Sequence, residues 1–146
     1  MRDFYLYCTI NVFWNLVHYN MSEKIEYQLE FPVKSSPKIL YNFIATPSGL
    51  SEWFADNVNS RGSKFTFIWD GSEEVAELIT KKAGSHIKFK WEEEDDGTFF
   101  EFRIRIDELT KDAALIITDF AEEDEMDEAR MLWESQVSEL LSVIGG

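Results

Sequence analysis

The strongest constraint on this chain is a series of short segments in residues 64–120, each alternating apolar and polar side chains, followed by one amphipathic tail. Phe65, Phe67 and Trp69 alternate with Lys64, Thr66 and Ile68, and Val75, Glu77 and Ile79 with Ala76, Leu78 and Thr80. Ile87, Phe89 and Trp91 oppose His86, Lys88 and Lys90; Phe100, Phe102, Ile104 and Ile106 oppose Glu101, Arg103, Arg105 and Asp107. Ala114, Ile116, Thr118 and Phe120 carry the pattern into a last segment. A period of two puts one face of each segment in a core and the other in water, which is the mark of a half-buried strand. Asp70-Gly71, Lys81-Lys82-Ala83-Gly84, Asp96-Gly97 and Thr110-Lys111-Asp112 separate them as turns. Connections this short force neighbours to pair antiparallel, in a meander.

Upstream, Ile25, Tyr27, Leu29, Phe31 and Val33 alternate with Glu26, Gln28 and Glu30, so a first strand is expected there. Ser36-Pro37 then supplies an N-cap and a proline at the first helical position, ahead of the stripe Ile39, Leu40, Phe43 and Ile44. Thr46-Pro47 repeats the signal, with Leu50, Trp53 and Phe54 read as the apolar face of a second short helix. From Glu122 to Gly146 the tail reads as helical, since Met126, Ala129, Trp133, Val137, Leu140, Leu141 and Ile144 recur every three or four residues. Asp124, Glu125, Asp127 and Glu128 load its first turn, where the helix dipole favours negative charge. About nineteen residues at roughly 1.5 Å each span on the order of 28 Å, the width of a small domain. The expected class is α+β: a curved antiparallel sheet of six to seven strands, two short helices after the first strand, and a long C-terminal helix across the concavity.

Composition narrows the function. The chain has 146 residues, 45% of them hydrophobic and 15% aromatic, enough to fill the core of one domain. Asp and Glu number 28 against 14 Lys and Arg, a formal net charge of −14. Nucleic acid and anionic lipid surfaces both require a basic face, and neither is expected as a partner. A soluble cytoplasmic protein fits this balance, and so does a basic protein partner. One cysteine, Cys8, allows no intramolecular disulfide, and with His18 and His86 it leaves too few ligands for a zinc site. No metal or cofactor is expected.

Residues 1–20 read differently from the rest. Phe4-Tyr5-Leu6-Tyr7 and Val12-Phe13-Trp14 are apolar, but Thr9, Asn11, Asn15 and His18 interrupt them, and the stretch is too short for a membrane span. It also lacks the basic start and cleavage site of a signal peptide. Met21-Ser22-Glu23-Lys24 runs directly into the first strand, so the expectation is an N-terminal extension at 1–20 upstream of a start at Met21, and a domain at 21–146. The alternative is an accessory strand or helix packed on that domain.

The combination Thr46-Pro47 to Leu50-x-x-Trp53-Phe54, Gly62-x-x-Phe65-x-Phe67-x-Trp69-x-Gly71, Ile87-x-Phe89-x-Trp91, and Trp133 with Leu140 resembles the START-like, Bet v 1-like helix-grip superfamily. Within it the likeness is to the branch of the activators of Hsp90 ATPase and the polyketide cyclases. The resemblance covers Met21 to Gly146 and implies an interior between sheet and last helix. Members of this superfamily bind lipids or other hydrophobic molecules, assist chaperones, or catalyse cyclisation, so the likeness is to a fold before it is to an activity. Ala76 and Leu132 stand where glycine is frequent in the family, which implies a fuller interior.

Trp53, Phe67, Trp69, Phe89, Trp91, Phe102 and Trp133 are the candidate lining of a hydrophobic ligand cavity; the competing reading is that they simply pack a core. Arg103 and Arg105 lie on the polar face of their strand, and surface ion pairs are expected of them. His86 has neither an orienting acid nor a nucleophile in any motif, so no catalytic residue is assigned. The acidic runs Glu92–Asp96 and Glu122–Glu125 lack EF-hand spacing and read as solvated surface, or as a dock for a basic partner. The expected function is a non-enzymatic, monomeric binding module for a small hydrophobic molecule or lipid. A protein-interaction or chaperone-assisting domain is the alternative, and a small cyclase-like enzyme the third.

Overall fold

The computed structural model describes residues 23–145. The expectation for residues 1–20 lies outside them. Strand β1 (Lys24–Val33) is followed by helices α1 (Pro37–Ala45) and α2 (Pro47–Leu50). Six strands follow: β2 (Asn57–Arg61), β3 (Lys64–Trp69), β4 (Ser72–Lys82), β5 (His86–Trp91), β6 (Phe100–Ile106) and β7 (Ala113–Glu122). A 3₁₀ turn (Glu123–Glu125) leads into helix α3 (Met126–Ile144). The sheet is antiparallel throughout, in the order β1-β7-β6-β5-β4-β3-β2, so the first strand closes against the last and β2 forms the far edge. The α+β helix-grip expected from the patterning is what forms.

Local chemistry explains each boundary. The Ser36 hydroxyl accepts the Ile39 amide at 3.2 Å and Pro37 occupies the first turn, which starts α1. The Thr46 hydroxyl accepts the Gly49 amide at 3.0 Å and donates to the Asn42 carbonyl at 2.7 Å, so one side chain ends α1 and begins α2. Asp70 and Gly71 both take positive φ, 52° and 83°, the two-residue geometry that matches the twist of a β3–β4 hairpin. A register shift between Leu78 and Thr80 bends β4 against β5 and adds curvature. Gly145, at φ 87°, ends α3 in the left-handed region.

Two expectations are corrected, and one strand is placed that the patterning had not marked. The second helix stops at Leu50; Trp53 and Phe54 follow it in a turn, held there by amide bonds from Phe54 and Ala55 to the Leu50 carbonyl. The seventh strand is the polar segment Asn57–Arg61, an edge whose hydrogen bonds to β3 need no apolar alternation. In β7 the face turned to the core is Ala113, Leu115 and Ile117, followed by Asp119, and not the Ala114-to-Phe120 set. This strand lies between β1 and β6 and is apolar on both faces, which erases the period-two contrast that would identify its inner side.

Candidate functional site

The concave face of the sheet is a field of aromatic rings. Phe65, Phe67 and Trp69 of β3, Phe89 and Trp91 of β5, and Phe100 and Phe102 of β6 alternate inward and are buried. Trp53 and Phe54 reach in from the turn after α2, and Trp133 comes down from α3. All seven residues singled out as candidate lining are brought together on this face. The rings touch: Trp91 and Phe100 at 4.7 Å between centroids, Phe65 and Phe89 at 5.0 Å, Trp53 and Phe102 at 5.4 Å, Phe102 and Trp133 at 5.8 Å. Phe54 is the common neighbour, edge-on to Phe67, Trp69 and Phe102 and stacked on Trp133 at 5.7 Å. Ala76 is fully buried beneath these rings.

Three indole N–H groups leave this field toward acceptors. Trp53 Nε1 donates to the Phe43 carbonyl at 2.9 Å, and Trp69 Nε1 to the Phe54 carbonyl at 2.7 Å. Trp133 Nε1 donates to Asp119 Oδ2 at 3.1 Å. Each bond ties an aromatic of one element to the backbone or side chain of another, so ring positions and helix positions are set together.

Where α3 lies on the sheet, polar groups interrupt the apolar surface. Tyr27 and Asp119 face each other across β1 and β7, and the guanidinium of Arg130 stands over the Tyr27 ring at 5.8 Å. Burial, reinforced by the charge of Asp119, holds the Tyr27 phenol well above its ordinary range. One turn beyond Trp133, Gln136 Nε2 donates to the Phe54 carbonyl at 2.8 Å. That bond fixes the amide orientation and leaves Gln136 Oε1 buried without a donor. Sequence patterning missed this group. Tyr27 reads as one more apolar strand residue, and Asp119 lies on the face taken as outward. Gln136, though it keeps the three-and-four spacing between Trp133 and Leu140, is polar and so is passed over by an apolar stripe.

The outer surface is occupied by its own pairs. Arg103 bonds Glu101 at 3.2 Å and Arg105 pairs with Glu30, so both guanidiniums face away from the interior, as expected. His86 Nδ1 lies 3.1 Å from the neighbouring Ser85 hydroxyl. Much of the first acidic run is engaged: Lys24 meets Glu94 at 3.4 Å and Asp96 at 3.2 Å, and Lys64 meets Glu92 at 3.1 Å. Burial favours the neutral form of Asp96, but bonds from Thr98 and the charge of Lys24 outweigh it and hold its carboxyl below the ordinary range. At the second run, burial and then Glu122, Asp124 and Glu128 push the Glu125 carboxyl up. Among the described residues, no group of three metal-ligating side chains is close enough to hold an ion, and no helix is long and apolar enough to cross a membrane.

A seven-stranded antiparallel sheet gripping one long C-terminal helix, with two short helices between its first two strands, defines the helix-grip class of protein. The START-like superfamily domain matches residues 21–146, and the chain belongs to that superfamily. A Bacteroides fragilis protein solved in solution is 40% identical, with 84% of this chain and 90% of that one covered at a TM-score of 0.57. The Aha1 dimer from Colwellia psychrerythraea is similar at 18% identity, 82% and 93% coverage and a TM-score of 0.66. A protein in the dynemicin biosynthetic locus, DynU16, shares the fold at 13% identity and a TM-score of 0.69, over 80% of this chain and 46% of that one. No curated protein matches the chain.

Proposed function

We propose that this domain is a non-enzymatic, monomeric binding module that holds a small, largely apolar molecule between the sheet and α3, inside a reducing cytoplasm. The observation that carries this reading is the seam of α3. Its floor is aromatic, and beside Trp133 lies a buried amide oxygen, Gln136 Oε1, with no donor. An orphaned acceptor costs roughly 1–3 kcal/mol, and a ligand hydroxyl or amine would offset that. The rings are in contact with one another, so an occupant has to lift α3, which rests on the sheet through Trp133, Val137 and Leu140. The seven aromatics would then form the wall of the opened site.

Native mass spectrometry and solvent extraction of the purified chain test this, together with tryptophan fluorescence during titration with a medium-chain alcohol. A co-purified apolar compound, or a saturable change in emission that is weakened in Gln136→Leu, is the expected result. A linear, non-saturating response and an empty extract would overturn it.

The second reading, a domain that docks a basic protein, is supported by the like charges crowded around Glu125 at the start of α3. A basic partner would relieve that crowding. It requires a salt-sensitive complex that is lost when Glu123, Asp124 and Glu125 are changed to glutamine or asparagine.

A further inference from the structure

We propose that the cleft between α1, α2 and the C-terminal end of α3 binds an alkylammonium group, a protonated amine on an apolar stem. The cleft has a volume of about 300 Å³ and is lined by Asn42, Phe43, Thr46, Ser48, Glu52 and Val143. It lies outside the α3 seam, and its occupancy does not depend on that seam opening.

Three sources of negative potential converge there. The Glu52 carboxylate stands at its rim. α1 ends at Ala45 and α3 at Ile144, so Asn42, Phe43 and Val143 all belong to last turns. The Asn42 and Phe43 carbonyls already accept from the Thr46 hydroxyl and the Trp53 indole. α1 and α3 therefore contribute the negative ends of their dipoles, about half a charge for an open end and less where donors are bound. Neither last turn contains a basic residue, and no lysine or arginine lines the cleft. Lys38 and Glu139, each one turn earlier on its helix, oppose one another in charge. A net charge of −14 adds a field that repels anions.

The walls suit an apolar stem. Phe43 lines the cleft and is half-buried, and Val143 is 43% exposed although it is aliphatic. A cation near an aromatic face gains from the ring quadrupole, and its methylenes gain by covering valine. A neutral alcohol of equal length would gain only the second term, and a carboxylate would be repelled. The ammonium can come from a free amine or from a lysine side chain of a basic protein, which share the same chemistry.

The test is an amide-resolved NMR titration of the full chain with n-hexylammonium, compared with hexanol and hexanoate. Hexylammonium is expected to shift the amides around Asn42, Gly49 and Val143 with a millimolar dissociation constant. Hexanoate is expected to leave them unmoved. Glu52→Gln should weaken hexylammonium by about two- to fivefold without changing the hexanol response, and Val143→Trp should block both. Equal shifts with hexanol, a response located elsewhere, or an unchanged affinity in Glu52→Gln would overturn the proposal. A lysine-containing tripeptide with blocked ends, set beside its acetyl-lysine form, assigns the source. Tighter binding than hexylammonium, lost on acetylation, points to a protein lysine, and weaker binding points to a free amine.

Discussion

Phe54 meets as many rings as Phe67, a candidate named from the sequence, and its carbonyl adds two hydrogen bonds. Its ring meets Trp53, Phe67, Trp69, Phe100, Phe102 and Trp133, and its carbonyl accepts both Trp69 and Gln136. Phe54→Ala should cost about 3–5 kcal/mol in chemical denaturation, because the rings around it belong to several elements and cannot all collapse into the void. Trp53 and Phe54 both stand in the family motif, but the central role of Phe54 was not legible, since it depends on which rings β3 and β6 bring beside it. Tyr27 offers a second check at this scale. Its folded-state pKa lies above the unfolded value of about 10, so the stability this gives is intact below pH 10 and declines as pH rises beyond it. Ultraviolet titration should place its phenolate above the ordinary range, and Asp119→Asn should bring it down by removing the charge opposite, though burial alone keeps it raised.

Among the elements, the α1–α2 pair depends on Gly49. A Cβ there would come within 2.1 Å of the Asn42 carbonyl oxygen and 2.7 Å of the Phe43 Cα, both backbone atoms that cannot turn away. Gly49→Ala should therefore separate the two helices at a cost of about 1–3 kcal/mol, seen as a lowered denaturation midpoint. The same change should alter the amide shifts of Asn42 and Phe43 more than those of β5 or β6. Both helices were visible in the sequence through Ser36-Pro37 and Thr46-Pro47, because capping is a local interaction between residues three apart. β2 was not individually visible. Its five residues form a strand only because β3 offers them an edge, and long-range pairing leaves no mark in a polar segment.

For the whole molecule, charge and aromatic packing act in opposition. A net charge of −14 on so small a domain disfavours the compact state through self-repulsion, which salt screens. The thermal midpoint should rise as sodium chloride increases from low ionic strength; a fall would show that pairs such as Lys24 with Glu94 and Asp96 outweigh the repulsion. Most of the fold follows from patterning displayed locally: alternation in the strands other than β2 and β7, caps on the short helices, a three-and-four stripe in the tail. The sequence by itself therefore determined the α+β architecture, the inward faces of β3, β5 and β6, and the outward faces of Arg103 and Arg105. Only the tertiary structure decided that the inward rings touch one another, that Asp119 turns inward beneath Trp133, and that two helix ends meet Glu52 at a cleft. The physical reason is distance along the chain. Alternation reports which side of a strand is buried, whereas the room left between a sheet and its helix depends on side chains dozens of residues apart.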